Sequence, residues 1–293
     1  MNKGSGRSIC LLLLITLGFG FSFILIKELM NANYPVFLLL ALRFLIGTFS
    51  LFAFRMIKPF PINKDDVKYG VVVGMALFFG FLFQTTGAAF TTPAKNGLYT
   101  GLYVLFVPTI TMIRQKKFTL KPVLLAVLCF AGVAIISNVF GDITFNIGDL
   151  LTTFCALSFA IQFILLEKYS PSLNPVNFTI VQLATVAIIS SVISFLLERD
   201  SFSMIKADKY LLMIVFLGLF ETGISFLIQT YVQSQITANV VALVSCMESV
   251  FAMGFSLVFG YDILSMTLIL GSILIIASMV ISSISNPELK GEK

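Results

Sequence analysis

Long apolar runs separated by short polar or basic segments make up most of the chain. A helix needs about 20 apolar residues to cross the roughly 30 Å hydrocarbon core of a bilayer, and the runs have about that length. The pattern predicts ten crossings, the first from Ile9 to about Met30 and the last from about Ile263 to Ile284. We therefore expect an all-α integral membrane protein with ten transmembrane helices.

The first run has a basic start, with Lys3 and Arg7, that is also typical of a secretory signal peptide. It is longer than the apolar segment of about 7–15 residues found in such peptides. It ends at Lys27-Glu28 rather than at a small-residue cleavage site. We therefore expect it to remain in the mature protein as the first membrane helix.

The composition excludes an ordinary soluble domain. Hydrophobic residues make up 58% of the chain and charged residues 11%, against about 45–50% and about 25% in soluble proteins. The chain has no His, and its four Cys residues lie apart inside apolar runs, so neither a metal site nor a cofactor is expected. Short basic loops beside a membrane explain the net charge of +5 better than nucleic-acid binding does.

Two of the charged residues inside predicted membrane helices are Glu248 and Arg43. Glu248 lies at the centre of the run Ile236–Leu264, and Arg43 lies in the middle of the second run. A charge at that depth costs at least about 2.5–3.5 kcal/mol, so each residue indicates a functional site by default. Two structural alternatives stay open. Glu248 could be a protonated or hydrogen-bonded structural carboxyl, and Arg43 could pair with Glu221 or Glu248 instead of binding an anionic group.

Polar side chains recur at helical spacing in other runs. Asn96, Tyr99 and Tyr103 share one face of the fourth run, which also contains Pro108 and is predicted to kink there. Glu221, Ser225 and Gln229 share one face of the eighth run, and Gln162 lies inside the sixth. We predict a central cavity lined by runs 1, 3, 4, 6, 8 and 9. The candidate substrate-binding residues are Tyr99, Tyr103, Asn96, Gln162, Glu221, Ser225, Glu248 and Arg43.

The chain also contains a weak internal repeat, revealed by sliding the sequence against itself by about 145 and about 140 positions. The matched pairs include Gln84-Thr85 with Gln229-Thr230, Tyr103 with Glu248, and Phe23-Ile24-Leu25 with Phe163-Ile164-Leu165. Weak internal symmetry of this kind is typical of transporter folds. The turn at Gly141-Asp142, after the fifth run at about 123–139, is the predicted boundary. The predicted halves are residues 1–144 and 145–293.

The number of helices in each half determines how the halves are oriented. Because five is odd, the second half enters the membrane from the opposite side, and an inverted repeat is expected. Most of the 19 Lys and Arg residues lie at the amino terminus, in the even-numbered loops and in the carboxyl tail. Cytoplasmic segments are enriched in these residues, so we expect both termini to be cytoplasmic in a multi-pass protein of the cell membrane.

With these motifs in view, the chain resembles the EamA-like family of the drug/metabolite transporter superfamily. In the first half the matching segments are the Gly-rich helix from Gly18 to Lys27 and the pair Arg43-Phe44. In the second half they are Met247–Ala252 in the ninth run and Gly260–Asp262 before the tenth. The resemblance covers both halves.

The chain departs from the family pattern at three positions. Ser249 stands where Pro is common, Asp262 where Glu is common, and Lys117 where an acid is common. The resemblance implies transport of small metabolites, such as amino acids, sugars, nucleosides or amphipathic cations, and leaves the substrate open.

We therefore expect a secondary active transporter, an exporter of small metabolites such as amino acids or amphipathic drugs, that works by alternating access. Protons are candidate coupling ions, carried by Glu248 or Glu221, because burial disfavours the charged form of a carboxyl. The expected partners are a small-molecule substrate and the lipid bilayer. A membrane enzyme is not expected, because the sequence has no His, no paired metal ligands and no phosphate loop. A passive facilitator or channel and a membrane scaffold remain the alternatives.

Overall fold

The computed structural model describes residues 3–57, 59–116 and 146–284, with isolated positions between 120 and 135. The helices in these ranges are α1 Lys3–Asn31, α2 Val36–Ile57, α3 Lys64–Phe90, α4 Pro93–Thr100, α5 Tyr103–Gln115, α6 Ile147–Tyr169, α7 Pro175–Leu197, α8 Lys209–Phe216, α9 Ser225–Gln233, α10 Ala238–Ser245, α11 Met247–Val258 and α12 Met266–Ile284. Short 3₁₀ turns cover Ser170–Ser172 and Arg199–Met204, and a π-helical turn, Leu217–Ile224, joins α8 to α9.

Eight segments in the described ranges are long and apolar enough to cross a membrane. They are Arg7–Asn31, Val36–Ile57, Lys64–Phe90, Pro93–Gln115, Ile147–Ser172, Pro175–Leu197, Lys209–Gln233 and Ala238–Val258. Met266–Ser278, within α12, is a shorter apolar helix. The fifth predicted run, at about 123–139, lies largely outside the described residues. The all-helical membrane architecture is thus observed, and the count of ten helices stays a prediction.

Polar side chains mark the starts of several helices. Thr92 accepts a hydrogen bond from the backbone N–H of Lys95, and Asn174 accepts hydrogen bonds from the first turn of α7. A Pro follows each of these caps, and its fixed φ and missing N–H suit the first helical position. Asp208 caps α8 in the same way through the N–H groups of Tyr210 and Leu211. These caps explain why the elements start where the apolar runs do.

The helices of the two halves pack into each other rather than side by side. The helix α3 packs against α6 and α7, α2 packs against α7 and the π turn, and α1 and α4 pack against α11. Small residues permit close approach, as is usual between helices in membranes. A Cβ atom added at Gly80 would lie 2.6 Å from a ring carbon of Phe159. Residues from both halves meet along this closely packed interface, and a central site can form there.

Polar contacts join several helices at one end of the bundle. Lys27 donates from Nζ to the carbonyl of Ala88 at 2.9 Å, and Glu28 accepts hydrogen bonds from Lys209 at 3.0 Å and from the hydroxyl of Tyr261 at 2.8 Å. Burial, together with the hydrogen bond to Glu28, raises the pKa of the Tyr261 phenol to about 12. Its hydroxyl therefore stays protonated near neutral pH. Glu198 caps α2 at this end by accepting from two of its backbone N–H groups.

Candidate functional site

The fourth and ninth predicted runs are each interrupted near the middle. The first interruption lies at Gly101-Leu102, between α4 and α5, and the second at Cys246, between α10 and α11. Gly101 (φ −58°, ψ −12°) and Cys246 (φ −61°, ψ −18°) have nearly the same conformation, and each donates its backbone N–H to the carbonyls two and four positions earlier. The sequence predicted a single helix in each place, with a kink at Pro108 in the fourth run. Pro108 lies inside α5, and the interruption comes before it, at Gly101-Leu102. The two interruptions are equivalent positions of the repeat.

These equivalent positions also touch each other. The Cys246 thiol donates to the carbonyl oxygen of Gly101 at 3.2 Å. The Tyr103 hydroxyl donates to Oε1 of Glu248 at 2.9 Å, with both side chains buried. Each pair is 145 positions apart, as in the alignment of the repeat. A residue contacts its own counterpart only where it lies close to the axis that relates the two repeats, so Tyr103 and Glu248 lie near that axis.

A cavity surrounds the Tyr103–Glu248 contact. Its volume of about 40 Å³ has room for a few water molecules, since one water needs at least roughly 10–15 Å³. The lining residues are Phe19, Ser22, Phe23, Arg43, Phe81, Gln84, Tyr103, Phe159, Gln162, Phe163, Phe226, Gln229, Ser245 and Glu248. The cavity thus combines aromatic rings with amide and hydroxyl groups, one guanidinium and one carboxyl.

Most of the lining falls into pairs of counterparts from the two halves. The pairs are Phe19 with Phe159, Ser22 with Gln162, Phe23 with Phe163, Phe81 with Phe226, Gln84 with Gln229, and Tyr103 with Glu248. The rings of Phe81 and Phe226 also contact each other, with centroids 5.7 Å apart. Arg43 lies outside this pairing, because the residue that matches it at a slide of 140 positions is Leu183. The two halves therefore contribute equivalent positions to most of the lining, but the charged side chains Arg43 and Glu248 have no charged counterparts.

Four of the candidate site residues line this cavity, namely Arg43, Tyr103, Gln162 and Glu248. The other four do not. Asn96 donates to the carbonyl of Gln84 at 3.1 Å, Ser225 donates to the carbonyl of Phe220, and Tyr99 and Glu221 are buried elsewhere in the bundle.

The interruption at Gly101 explains part of this difference. A continuous helix would put Asn96, Tyr99 and Tyr103 on one face, whereas Tyr103 begins a new helix.

The candidate substrate-binding residues did not include Ser22, Gln84, Gln229 and Ser245, or the six Phe residues. The signal that identifies most of them is the repeat itself. The matches of Gln84 with Gln229 and of Phe23 with Phe163 each pair two residues that line the same cavity. Matched pairs near a repeat axis meet at the centre of the molecule, so the alignment carried positional information that polarity alone did not.

Arg43 is one of the largest fully buried side chains, with 1% of its surface exposed. Its Nε donates to the hydroxyl oxygen of Thr222 at 2.6 Å, and its guanidinium carbon lies 4.5 Å from the centroid of the Phe81 ring. Among the described residues, one ion pair is shorter than 4 Å, and it joins Lys209 to Glu28. The direct pairing of Arg43 with Glu221 or Glu248 that the sequence left open is therefore not present in this conformation.

Gln162 offers the cavity an unused hydrogen-bond donor. Its side chain is fully buried, and its Oε1 accepts from Nε2 of Gln229 at 3.4 Å. Its Nε2 has no hydrogen-bond partner. A buried donor without a partner costs about 1–3 kcal/mol, and a ligand or a water in the cavity would remove that cost.

The described part of the chain brings no three His, Cys, Asp or Glu side chains together in a way that could hold a metal ion. The polar groups of the cavity are instead suited to an organic molecule. A guanidinium binds a carboxylate through two parallel hydrogen bonds, a carboxyl can bind an amino group, and aromatic rings contact apolar groups and cations.

Comparison with known proteins adds three findings. The model of the EamA-like transporter family matches residues 6–138 and 146–284. An "uncharacterized transporter" of Archaeoglobus fulgidus is 31% identical over 176 residues, which cover 57% of this chain. The match spans about half of that relative's length, 54%. A crystal structure of a protein with 19% identity superposes with a TM-score of 0.72 over 97% of this chain and 99% of that one, and this likeness shows a shared fold.

Proposed function

Since the chain belongs to the EamA-like transporter family, we propose that it is a secondary active carrier that exports a small zwitterionic metabolite, such as an amino acid. The chain is a multi-pass membrane protein of a transporter family. That membership supports transport rather than catalysis. The observation that carries the proposal is the cavity between the two halves, in which Arg43 and Glu248 lie among six Phe residues.

The repeat supports alternating access as the mechanism. We propose that the halves, residues 1–144 and 145–293, are inverted relative to each other and that the cavity opens to one side of the membrane at a time. Two features support this proposal: the equivalent interruptions at Gly101 and Cys246 contact each other, and the lining is built from counterparts. Rocking of one repeat against the other around a fixed midplane site is the motion such a fold permits.

The charges and rings of the cavity support a zwitterion with an apolar body. Arg43 would hold the carboxylate, with the unpartnered Nε2 of Gln162 as a further donor. Glu248 would receive the amino group and, in the empty carrier, could hold a proton instead, because burial disfavours its charged form. The Phe rings would contact the apolar side chain of an amino acid or the body of an amphipathic drug. Exchange of a proton for a cationic group at Glu248 would couple export to a proton gradient.

We expect L-phenylalanine to accumulate in proteoliposomes only when a pH gradient is imposed. Two analogues that share its ring test the two charges separately: 3-phenylpropionate lacks the amino group and phenethylamine lacks the carboxylate. A hydrogen bond to a charged group contributes about 1.5–3 kcal/mol, so each analogue should compete at least about tenfold more weakly. The measurement is labelled uptake, with leucine and a nucleoside as further probes.

Two outcomes would count against the proposal. Equal competition by all three phenyl compounds would show that neither charge recognises the substrate. No uptake or exchange of any probe would favour a scaffold or a different class of substrate.

A further inference from the structure

The π-helical turn Leu217–Ile224 lies directly against the part of α2 that carries Arg43. A Cβ atom added at Gly47 would lie 3.0 Å from the carbonyl oxygen of Gly218, and one added at Gly218 would lie 2.9 Å from the carbonyl oxygen of Arg43. The two backbones are therefore in contact. Single π-helical turns inside α-helices often occur at functional sites.

This contact places Thr222 behind the guanidinium of Arg43. The Thr222 side chain is fully buried, and its hydroxyl accepts the hydrogen bond from Nε at 2.6 Å. A guanidinium has five N–H donors in a fixed plane, and this bond uses the one nearest the chain. Fixing Nε fixes the plane, because the donors cannot rotate independently. Since Arg43 lines the cavity, Thr222 determines how its terminal nitrogens face a ligand.

The neighbouring residue, Glu221, is a buried carboxyl with unsatisfied hydrogen-bonding capacity. It is 2% exposed, and its Oε2 has no hydrogen-bond partner. Its Oε1 packs against α1 at Gly18, where an added Cβ would lie 2.3 Å away. Arg43 of α2 lies near it, because Arg43 donates a hydrogen bond to the adjacent residue Thr222. The residue that α1 presents to its Oε1 is a glycine and carries no charge.

Glu221 and Arg43 are thus close enough to interact but do not form an ion pair within 4 Å. A buried charge is strongly unfavourable without a compensating one. Arg43 cannot lose its proton, so a carboxyl close to it lowers the cost of burying its charge.

We propose that Thr222 and Glu221 are positioning residues for Arg43: Thr222 orients the guanidinium, and Glu221 balances its positive charge. The inference rests on the proposed function in one respect, namely that Arg43 binds an anionic substrate group.

The first experiment needs no substrate. It compares the melting temperature and the yield of folded protein for Arg43→Gln, Glu221→Gln and the double variant. Each single variant removes one charge of the pair, so the double variant should melt several degrees above Glu221→Gln and give more folded protein. The matched control combines Arg43→Gln with Glu248→Gln. This double variant should not melt above the single variant Glu248→Gln. Additive effects, or equal recovery with Glu248→Gln, would overturn the assignment of Glu221.

The second experiment measures binding of 3-phenylpropionate to the wild type and to two variants of Thr222 at a single pH. Thr222→Val should raise the Kd at least about tenfold, whereas Thr222→Ser, which keeps the hydroxyl, should stay within about threefold of the wild type.

The outcomes separate the two proposals. If no probe binds to the wild type, the proposed function fails, and the double-variant comparison still decides whether Glu221 balances Arg43. If Thr222→Val binds 3-phenylpropionate as the wild type does, the positioning role of Thr222 fails and the carrier proposal stands.

Discussion

Replacing Glu248 with Gln is expected to lower proton-driven transport at least about tenfold and to remove its dependence on an imposed pH gradient. The amide of Gln can still accept the hydrogen bond that Tyr103 donates at 2.9 Å, so the packing around the site should be kept. It cannot exchange a proton or carry the negative charge that would bind an amino group. Loss of a charge-assisted hydrogen bond of about 1.5–3 kcal/mol corresponds to a factor of about 10–100.

The measurement is the initial rate of L-phenylalanine uptake into proteoliposomes with and without the gradient. Tyr103→Phe serves as the matched variant, because it removes the hydroxyl from the same contact and leaves the acid in place. We expect it to lower the rate while the dependence on the gradient remains. If Glu248→Gln is driven by the gradient as the wild type is, Glu248 is not the coupling acid.

Gly20→Ala is expected to lower the melting temperature by several degrees or to prevent folding. At Gly20, α1 lies against the backbone of α11, and an added Cβ atom would be 2.4 Å from Cβ of Phe251 and 3.0 Å from the backbone nitrogen of Ala252. Backbone cannot move aside as a side-chain end can, so α1 would have to separate from the helix that begins next to Glu248. Overpacking of this kind costs about 1–3 kcal/mol or more.

Gly254→Ala, on the same helix α11, is the control for Gly20→Ala. No atom lies within 4 Å of a Cβ added there, and Ala favours a helix over Gly by about 1 kcal/mol. Thermal unfolding in detergent should therefore show Gly254→Ala at or above the wild-type melting temperature. Equal melting temperatures for the two variants would contradict the close contact between α1 and α11.

Much of the fold could be predicted because a membrane helix is specified by the length and composition of a single run. Tyr103 and Glu248, which the repeat aligns, are also in contact, because equivalent residues near a repeat axis meet. The interruption at Cys246 could not be predicted in this way. It has no Gly or Pro to mark it, and it occurs where α11 crosses its counterpart near Gly101. It is a consequence of packing between halves rather than of local sequence.

The surroundings of Arg43 show a second limit. The sequence established that an arginine in a membrane helix needs a partner, but it could not tell which helices touch. The π turn that supplies Thr222 lies in the apolar segment Leu217–Ile224, which reads as ordinary helix. Its position against α2 depends on Gly47 and Gly218, which lie far apart in the chain. The partner was therefore a hydroxyl that no local pattern distinguished.

Counterflow in proteoliposomes tests most directly whether the protein is a carrier with its site in the central cavity. Vesicles preloaded with unlabelled L-phenylalanine receive a trace of labelled compound outside, and the label inside is followed with time. A carrier that exposes one site to each side in turn predicts a transient, saturable accumulation of label that Arg43→Gln abolishes. Label that only equilibrates, without a transient or saturation, would instead indicate a channel and would contradict alternating access.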